Sequence, residues 1–264
     1  MPQRRSQIWL TSSKDYVVSY YCAEVCNTFT NLLFMWLGLK GIHNCISQDH
    51  PRIFLIAYMG YIIVGLGSTA FHTSLKYPMQ LIDELSMIYT TCLMVFATFS
   101  YSRSGRFSAF LGCGLTLLAG FITVYYHVTK DPVFHQSCYA ALTATVVFRS
   151  FTKASSVLKT MWIMVATGLG VFLSGFLIWN LDNSLCSHIR RLRRQLGFPW
   201  GALLEGHAWR YAPFTPAFEG RTYYYITWGI WLRRCLEGRE DEYRLVWPRS
   251  ISSIPVVVKA KKVE

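Results

Sequence analysis

Gly65-Leu66-Gly67-Ser68-Thr69-Ala70-Phe71-His72, followed after Thr73 to Ile82 by Asp83-Glu84, decides how this chain is read. Apolar runs flank the stretch on both sides. A bilayer core penalises ionisable groups, so those that persist there usually face an interior site and do work. Ser68 and His72 are four residues apart, which stacks them on one face of a helix. Asp83 follows a short loop later. A hydroxyl, an imidazole and a carboxylate are thus gathered inside an otherwise apolar frame.

The composition fits that frame. The 264 residues are 52% hydrophobic and only 15% charged, where a soluble domain carries about 25% charged residues. The mean hydropathy is +0.27. The expectation is an all-α polytopic membrane protein, a single bundle of seven transmembrane helices. Seven apolar segments fall at 22–43, 53–73, 82–101, 108–127, 133–149, 158–180 and 222–236, against a spanning length of about 20 residues. The fifth is interrupted by His135, Gln136 and Ser137, and the seventh is the weakest. Helices are expected because lipid offers the backbone no partners. A barrel needs short alternating segments that are absent here. Gly65, Gly67, Ala70, Gly112, Gly114 and Gly120 are expected to let helices approach closely.

The net charge of +12 is concentrated. Arg190, Arg191, Arg193 and Arg194 form one cluster, and the tail from Arg233 to Lys262 another. Such residues read as topology signals and contacts to anionic headgroups, so the bilayer is the expected partner. No nucleic-acid motif accompanies them, and no obligate protein partner is inferred. Counting Lys and Arg over alternate loops places the C-terminus in the cytosol and the N-terminus in a lumen, with the 190–194 cluster running against the rule. The domains are then a lumenal segment 1–21, a membrane domain 22–236 and a basic cytosolic tail 237–264. The eight cysteines form no C-x-x-C pair and read as small apolar fillers.

Among the chemistry-bearing residues, His72 reads either as a packing hydrogen-bond partner or as a metal ligand. A second histidine, His207, stands in Gly206-His207-Ala208-Trp209. Catalytic zinc takes three protein ligands and a water, and lowers the pKa of that water to about 7. A carboxylate near such a site acts as general base or orients an imidazole, a role open to Asp83. Ser68 is suited to donate to a developing oxyanion. The plainer reading of Asp83-Glu84 is a helix-start acid favoured by the helix dipole. His43, His50, His127, His135 and His188 are expected to pack at the interface, and Asp182 to terminate the sixth segment.

Several pieces together resemble the alkaline ceramidase family. They are Tyr16 to Thr28, Gly67-Ser68-Thr69-Ala70-Phe71-His72, Lys76 to Leu85, Trp179-Asn180-Leu181-Asp182 and Gly206-His207-Ala208-Trp209. The resemblance implies a seven-helix amidase of the endoplasmic reticulum or Golgi, cleaving ceramide or phytoceramide to a sphingoid base and a fatty acid. It implies His72 and His207 as zinc ligands, Ser68 as oxyanion helper and Asp83 as acid/base group. Glu24 and Asp15 would be what is left of a calcium site, making Zn2+ and Ca2+ the implied metals.

Two blocks depart from the family pattern. Its last helix reads G-H-A-W-W-H, whereas Arg210 and Tyr211 follow Trp209 here, so the third zinc histidine is absent at Tyr211. The run 210–221 interrupts the seventh segment, and Pro213 and Pro216 would break a helix there. The family's D-W-C-E-x-N-Y stretch is replaced by Leu10 to Tyr16, which leaves Cys186 without its partner cysteine. The alternatives to an active ceramidase are an altered reading of such an enzyme's gene, an impaired ceramidase-like lipid-binding relative, and a seven-helix receptor.

Overall fold

The computed structural model describes residues 21–153, 221–246 and 254–260, with scattered positions between 170 and 196. These residues form six helices and one strand pair: α1 Val25–Ser47, α2 Arg52–Ser74, α3 Tyr77–Phe99, α4 Gly105–Thr129, α5 Pro132–Lys153, α6 Arg221–Leu236, β1 Tyr243–Val246 and β2 Val256–Lys259. The chain is mostly helical, as its periodicity predicts. Among the described residues, α2, α3 and α4 are long and apolar enough to cross a membrane. The expected segment 158–180 and nearly all of segment 1–21 lie outside the described residues, as does the 210–221 block up to Arg221.

Helix α2 sits between α1 and α3, while α3 also meets α4 and α5, and α6 lies across α2. Leu37, Tyr58, Tyr61, Ile88, Ile226 and Ile230 form the centre of the core. Lipid is as apolar as these side chains, so close packing and interhelical hydrogen bonds hold such helices together rather than water exclusion. Gly41 on α1 shows this. A β-carbon there would come within 2.3 Å of the Tyr58 ring, and Tyr58 in turn shares a 2.8 Å hydrogen bond with Thr227 of α6. The expected small-residue contacts are only partly met. Gly65 and Gly67 lie against α1 and α3, whereas no described residue comes within 4 Å of where a β-carbon would stand at Gly114 or Gly120. On α4 only Ile122 and Tyr126 are buried, and Phe110, Leu117, Phe121 and Val124 face outward.

Two expectations are corrected. Helix α3 begins at Tyr77, not near residue 82, because Pro78 suits a helix's first turn. Asp83 therefore lies well inside the helix, not at its start. The purely helical class is corrected by the antiparallel pair of β1 and β2, in register Leu245 to Val257, within the expected basic tail. Val256-Val257-Val258 is a β-branched run that favours a strand. The positive charges around it drew the sequence reading toward topology instead.

The strand pair docks on the turn between α1 and α2. Asn44 and His50 both donate to the Val257 carbonyl, at 3.2 and 3.1 Å. Arg234 donates to the Asp49 carbonyl at 2.6 Å and pairs with Glu237 at 2.8 Å. The expectation that His50 packs at an interface is thereby sharpened into a buried, bonded position.

Candidate active site

The start of α1, the end of α2 and the start of α3 meet at the opposite end of the bundle from the strand pair. The chain entering α1 is tied to the end of α2 by its backbone: Ala23 N donates to the Thr73 carbonyl and Glu24 N to the His72 carbonyl, both at 3.1 Å. The last carbonyls of a helix lack partners within it, so this contact satisfies two of them. It also delivers the Glu24 carboxylate to the His72 ring.

His72 Nδ1 lies 2.5 Å from Glu24 Oε2. A carboxylate only accepts, so Nδ1 carries the proton and donates. In the neutral ring the lone pair then sits on Nε2. Metal-ligating histidines are held in this way, their second nitrogen bonded to a carboxylate that fixes tautomer and orientation. Asn27 Nδ2 donates to the same Glu24 oxygen at 2.8 Å. Glu24 is the N-cap residue of α1 but makes no side-chain cap bond to its own helix.

Ser68 and His72 are both buried on α2, as their spacing predicts. Gly67 brings Asp83 to them: a β-carbon at Gly67 would lie 3.1 Å from the Asp83 nitrogen and 3.2 Å from its Cα. A side chain there would push α3 away by a few tenths of an ångström. The structure therefore gathers Glu24, Ser68, His72 and Asp83 at one end of three helices. His207, Asp15, Asp182 and Tyr211 lie outside the described residues. Among the described residues no three His, Cys, Asp or Glu side chains converge as a metal set. His72 has the burial and the carboxylate-held Nδ1 that a metal-ligating imidazole has, and it supplies one of the three protein ligands that a catalytic zinc takes.

Next to Asp83, Glu84 faces the other way into a polar cluster. Its carboxylate accepts from the Tyr126 hydroxyl of α4 and, at 3.1 Å, from Gln80. His135 Nε2 of α5 donates to the Glu84 carbonyl at 2.9 Å, with its ring 5.4 Å from that of Tyr126. His135 was expected to pack at the interface. It is instead 3% exposed inside the bundle, because α5 starts at Pro132 and turns His135 toward α3, while Gln136 and Ser137 stay exposed. Sequence reasoning missed this cluster and also Asn27. The signal for Asn27 was its position three residues after Glu24, one turn along the same helix face.

Comparison with known proteins bears on this arrangement. The family profile described as Ceramidase matches residues 13–258. The chain belongs to the alkaline ceramidase family. It is similar to alkaline ceramidase 3 of Mus musculus, with 36% identity over 74% of each chain. An alkaline ceramidase of Saccharomyces cerevisiae shares 30% identity over 74% of this chain and 68% of its own. A third relative, an alkaline ceramidase of Arabidopsis thaliana, is 23% identical over 74% of this chain and 72% of its own. The chain is thus a hydrolase of the ceramidase class and a membrane protein, as the residues quoted from its first and third segments imply.

Proposed function

We propose that this ceramidase-family chain hydrolyses the amide bond of ceramide or phytoceramide, releasing a sphingoid base and a fatty acid, with His72 and His207 as zinc ligands. The observation that supports it best is the buried His72–Glu24 pair, beside Ser68 and backed by Asp83, in a chain of this family. Zinc held there would supply a water acidified to a pKa of about 7. The residues of the chain do the rest. Glu24 holds the imidazole in one tautomer. The Asp83 carboxylate takes the proton of the attacking water and returns it to the leaving amine nitrogen. The Ser68 hydroxyl donates to the carbonyl oxygen as negative charge develops on it. The apolar helices receive the acyl and sphingoid chains and keep bulk water from the amide.

The reading includes seven spans, an endoplasmic reticulum or Golgi membrane, and a lumenal N-terminus with a cytosolic C-terminus. Calcium at Asp15 and Glu24 is proposed on the family resemblance. Glu24 is its one described ligand, short of the roughly six to eight oxygens calcium takes, and no step above depends on it.

The test is ceramide turnover by the purified chain with its zinc content measured alongside. Asp83→Asn is expected to lower kcat by about 10²–10⁴-fold, and Ser68→Ala by about 10²–10³-fold, both with zinc retained. Turnover unchanged in Asp83→Asn would remove the acid/base role and with it this mechanism. Stoichiometric zinc without any amide cleavage would favour the lipid-binding reading instead.

A further inference from the structure

Among the described residues, two buried polar atoms beside the site have no hydrogen-bond partner: the Asn27 carbonyl oxygen Oδ1 and the Asn31 amide nitrogen Nδ2. Both residues lie on α1, at 3% and 2% exposure. Buried side-chain amides are almost always bonded, so an orphan acceptor and an orphan donor one turn apart ask for a ligand.

Their level in the bundle is fixed by contacts on the page. Helices α1 and α2 run in opposite directions. Glu24 is level with His72, through the backbone bond between them. The Asn31 carbonyl oxygen lies 3.7 Å from where a Gly65 β-carbon would stand, so Asn31 is level with Gly65. Asn27 on α1 and Ser68 on α2 fall between those two levels. The Asn27 side chain is also held at the site directly, because its Nδ2 and the His72 ring share one Glu24 oxygen. Glu24, Asn27 and Asn31 therefore form a polar stripe that descends from His72 past Ser68 into the apolar interior.

We propose that Asn27 and Asn31 form the subsite for the hydroxyl groups on the sphingoid headgroup of the substrate. This rests on the proposed amide hydrolysis. The chemistry of the two orphan atoms selects the ligand. Asn27 Oδ1 needs a donor and Asn31 Nδ2 needs an acceptor, and a hydroxyl is both. The sphingoid part of a ceramide carries hydroxyls on the two carbons that flank the carbon bearing its amide nitrogen. An amide seated at Ser68 therefore places hydroxyls within reach of this stripe, while a simple fatty amide leaves both atoms unsatisfied. A site built to bond a hydroxyl rejects the analogue that lacks it far more strongly than an apolar pocket rejects an extra methylene.

The experiment compares kcat/KM of the full chain for ceramide and for 1-deoxyceramide and 3-deoxyceramide of the same chain lengths. The native chain is expected to prefer ceramide over at least one deoxy analogue by at least about ten-fold. Asn27→Leu and Asn31→Leu, close in size to the originals, are each expected to bring the ceramide-to-deoxy ratio of kcat/KM toward one; Asn27→Leu also removes the bond to Glu24 and is therefore read by that ratio and not by its rates. A native preference near unity overturns the proposal without recourse to any variant. So does a variant that slows all substrates equally, which is the mark of a structural role or of a fixed water at the stripe. Asp83→Asn is run beside them. If it still cleaves ceramide, the parent reading fails and this one with it. If it is inactive while the native chain ignores the hydroxyls, this subsite alone is wrong.

Discussion

Glu24 stands at the N-cap of α1 but directs its carboxylate across to His72. An acid in the first turn of a helix ordinarily gains from the helix dipole. Here the stronger interaction is the short bond to an imidazole in a buried site. The consequence is testable with one atom changed. Glu24→Gln keeps an oxygen able to accept from His72 Nδ1 but removes the negative charge. Loss of such an outer partner costs a metal site about 10–100-fold in affinity. The variant is expected to lose its zinc at correspondingly higher free-zinc concentrations than the native chain and to regain turnover when zinc is added in excess. Zinc retention equal to that of the native chain would show that the carboxylate holds the start of α1 and nothing more. Sequence reading assigned Glu24 to calcium and Asp83 to acid/base chemistry, with a helix-start acid as its plainer reading. It singled out residues that lie together at this end and missed the bond between Glu24 and His72, because a contact between residues 24 and 72 leaves no trace in local spacing.

At the scale of elements, the ends of α2, α4 and α6 follow their apolar runs to within a few residues, so the helices were legible. What was not legible is how they touch. The Gly41 and Gly114 positions show the difference. Both sit in apolar helices, yet a β-carbon at Gly41 meets the Tyr58 ring at 2.3 Å and one at Gly114 meets nothing within 4 Å among the described residues. Tyr58 is held by Thr227 on its far side and has no room to retreat. Gly41→Ala is expected to destabilise by about 1–3 kcal/mol through overpacking. Gly114→Ala is expected to be neutral or to stabilise by up to about 1 kcal/mol through the unfolded chain. Thermal unfolding of the two variants in one detergent checks the pair, and equal shifts would refute the packing argument.

The strand pair adds a pH dependence at the same scale. His50 donates through Nε2 to the Val257 carbonyl, which leaves Nδ1 to face the Arg234 guanidinium at 3.5 Å. Burial, with Arg234 and Lys259 nearby, pushes its pKa from an ordinary 6.5 down to about 4 against the pull of the Val257 bond and Asp49. A histidine whose folded pKa is lowered stays neutral while the unfolded chain binds a proton. Its contribution to stability is complete above about pH 6.5 and is lost as pH falls toward about 4. Glu237 adds a loss below that window. Its carboxyl is buried, which alone would raise its pKa, but bonds from Arg233 and Arg234 hold it below its ordinary 4.5. Hydrogen exchange of the β1 and β2 amides, corrected for intrinsic rates, is expected to quicken across the His50 window. His50→Gln retains a donor but cannot titrate, and should flatten that dependence. If it does not, His50 is not the group that titrates.

The whole molecule has two built ends. One gathers Glu24, Ser68, His72 and Asp83; the other clamps β1 and β2 through Asn44, His50 and Arg234. The first end was legible because lipid makes polar residues conspicuous. The second was not, because charges in a tail read as topology before they read as a docking surface. In the sequence, the block 210–221 leads into α6 and departs from the family just after His207. In the family pattern a histidine follows four residues after the one at 207, which places two imidazoles on one helix face. Here Tyr211 takes that place, with Pro213 and Pro216 beyond it. Exchanging the block for a family-type W-W-H helix restores the second imidazole and shortens the connection to α6, whose own buried face of Tyr223, Ile226 and Ile230 is unchanged. A missing metal ligand outweighs a missing outer partner. The exchanged chain is therefore expected to gain more than the roughly 10–100-fold in zinc affinity that an outer partner supplies, and ceramide turnover with it. Purified native and exchanged chains, compared for zinc content and turnover at equal protein, decide the matter. Equal zinc and equal turnover would mean that the native chain completes its metal set with another group, for which Asp83 is the carboxylate already packed against the Ser68–His72 helix.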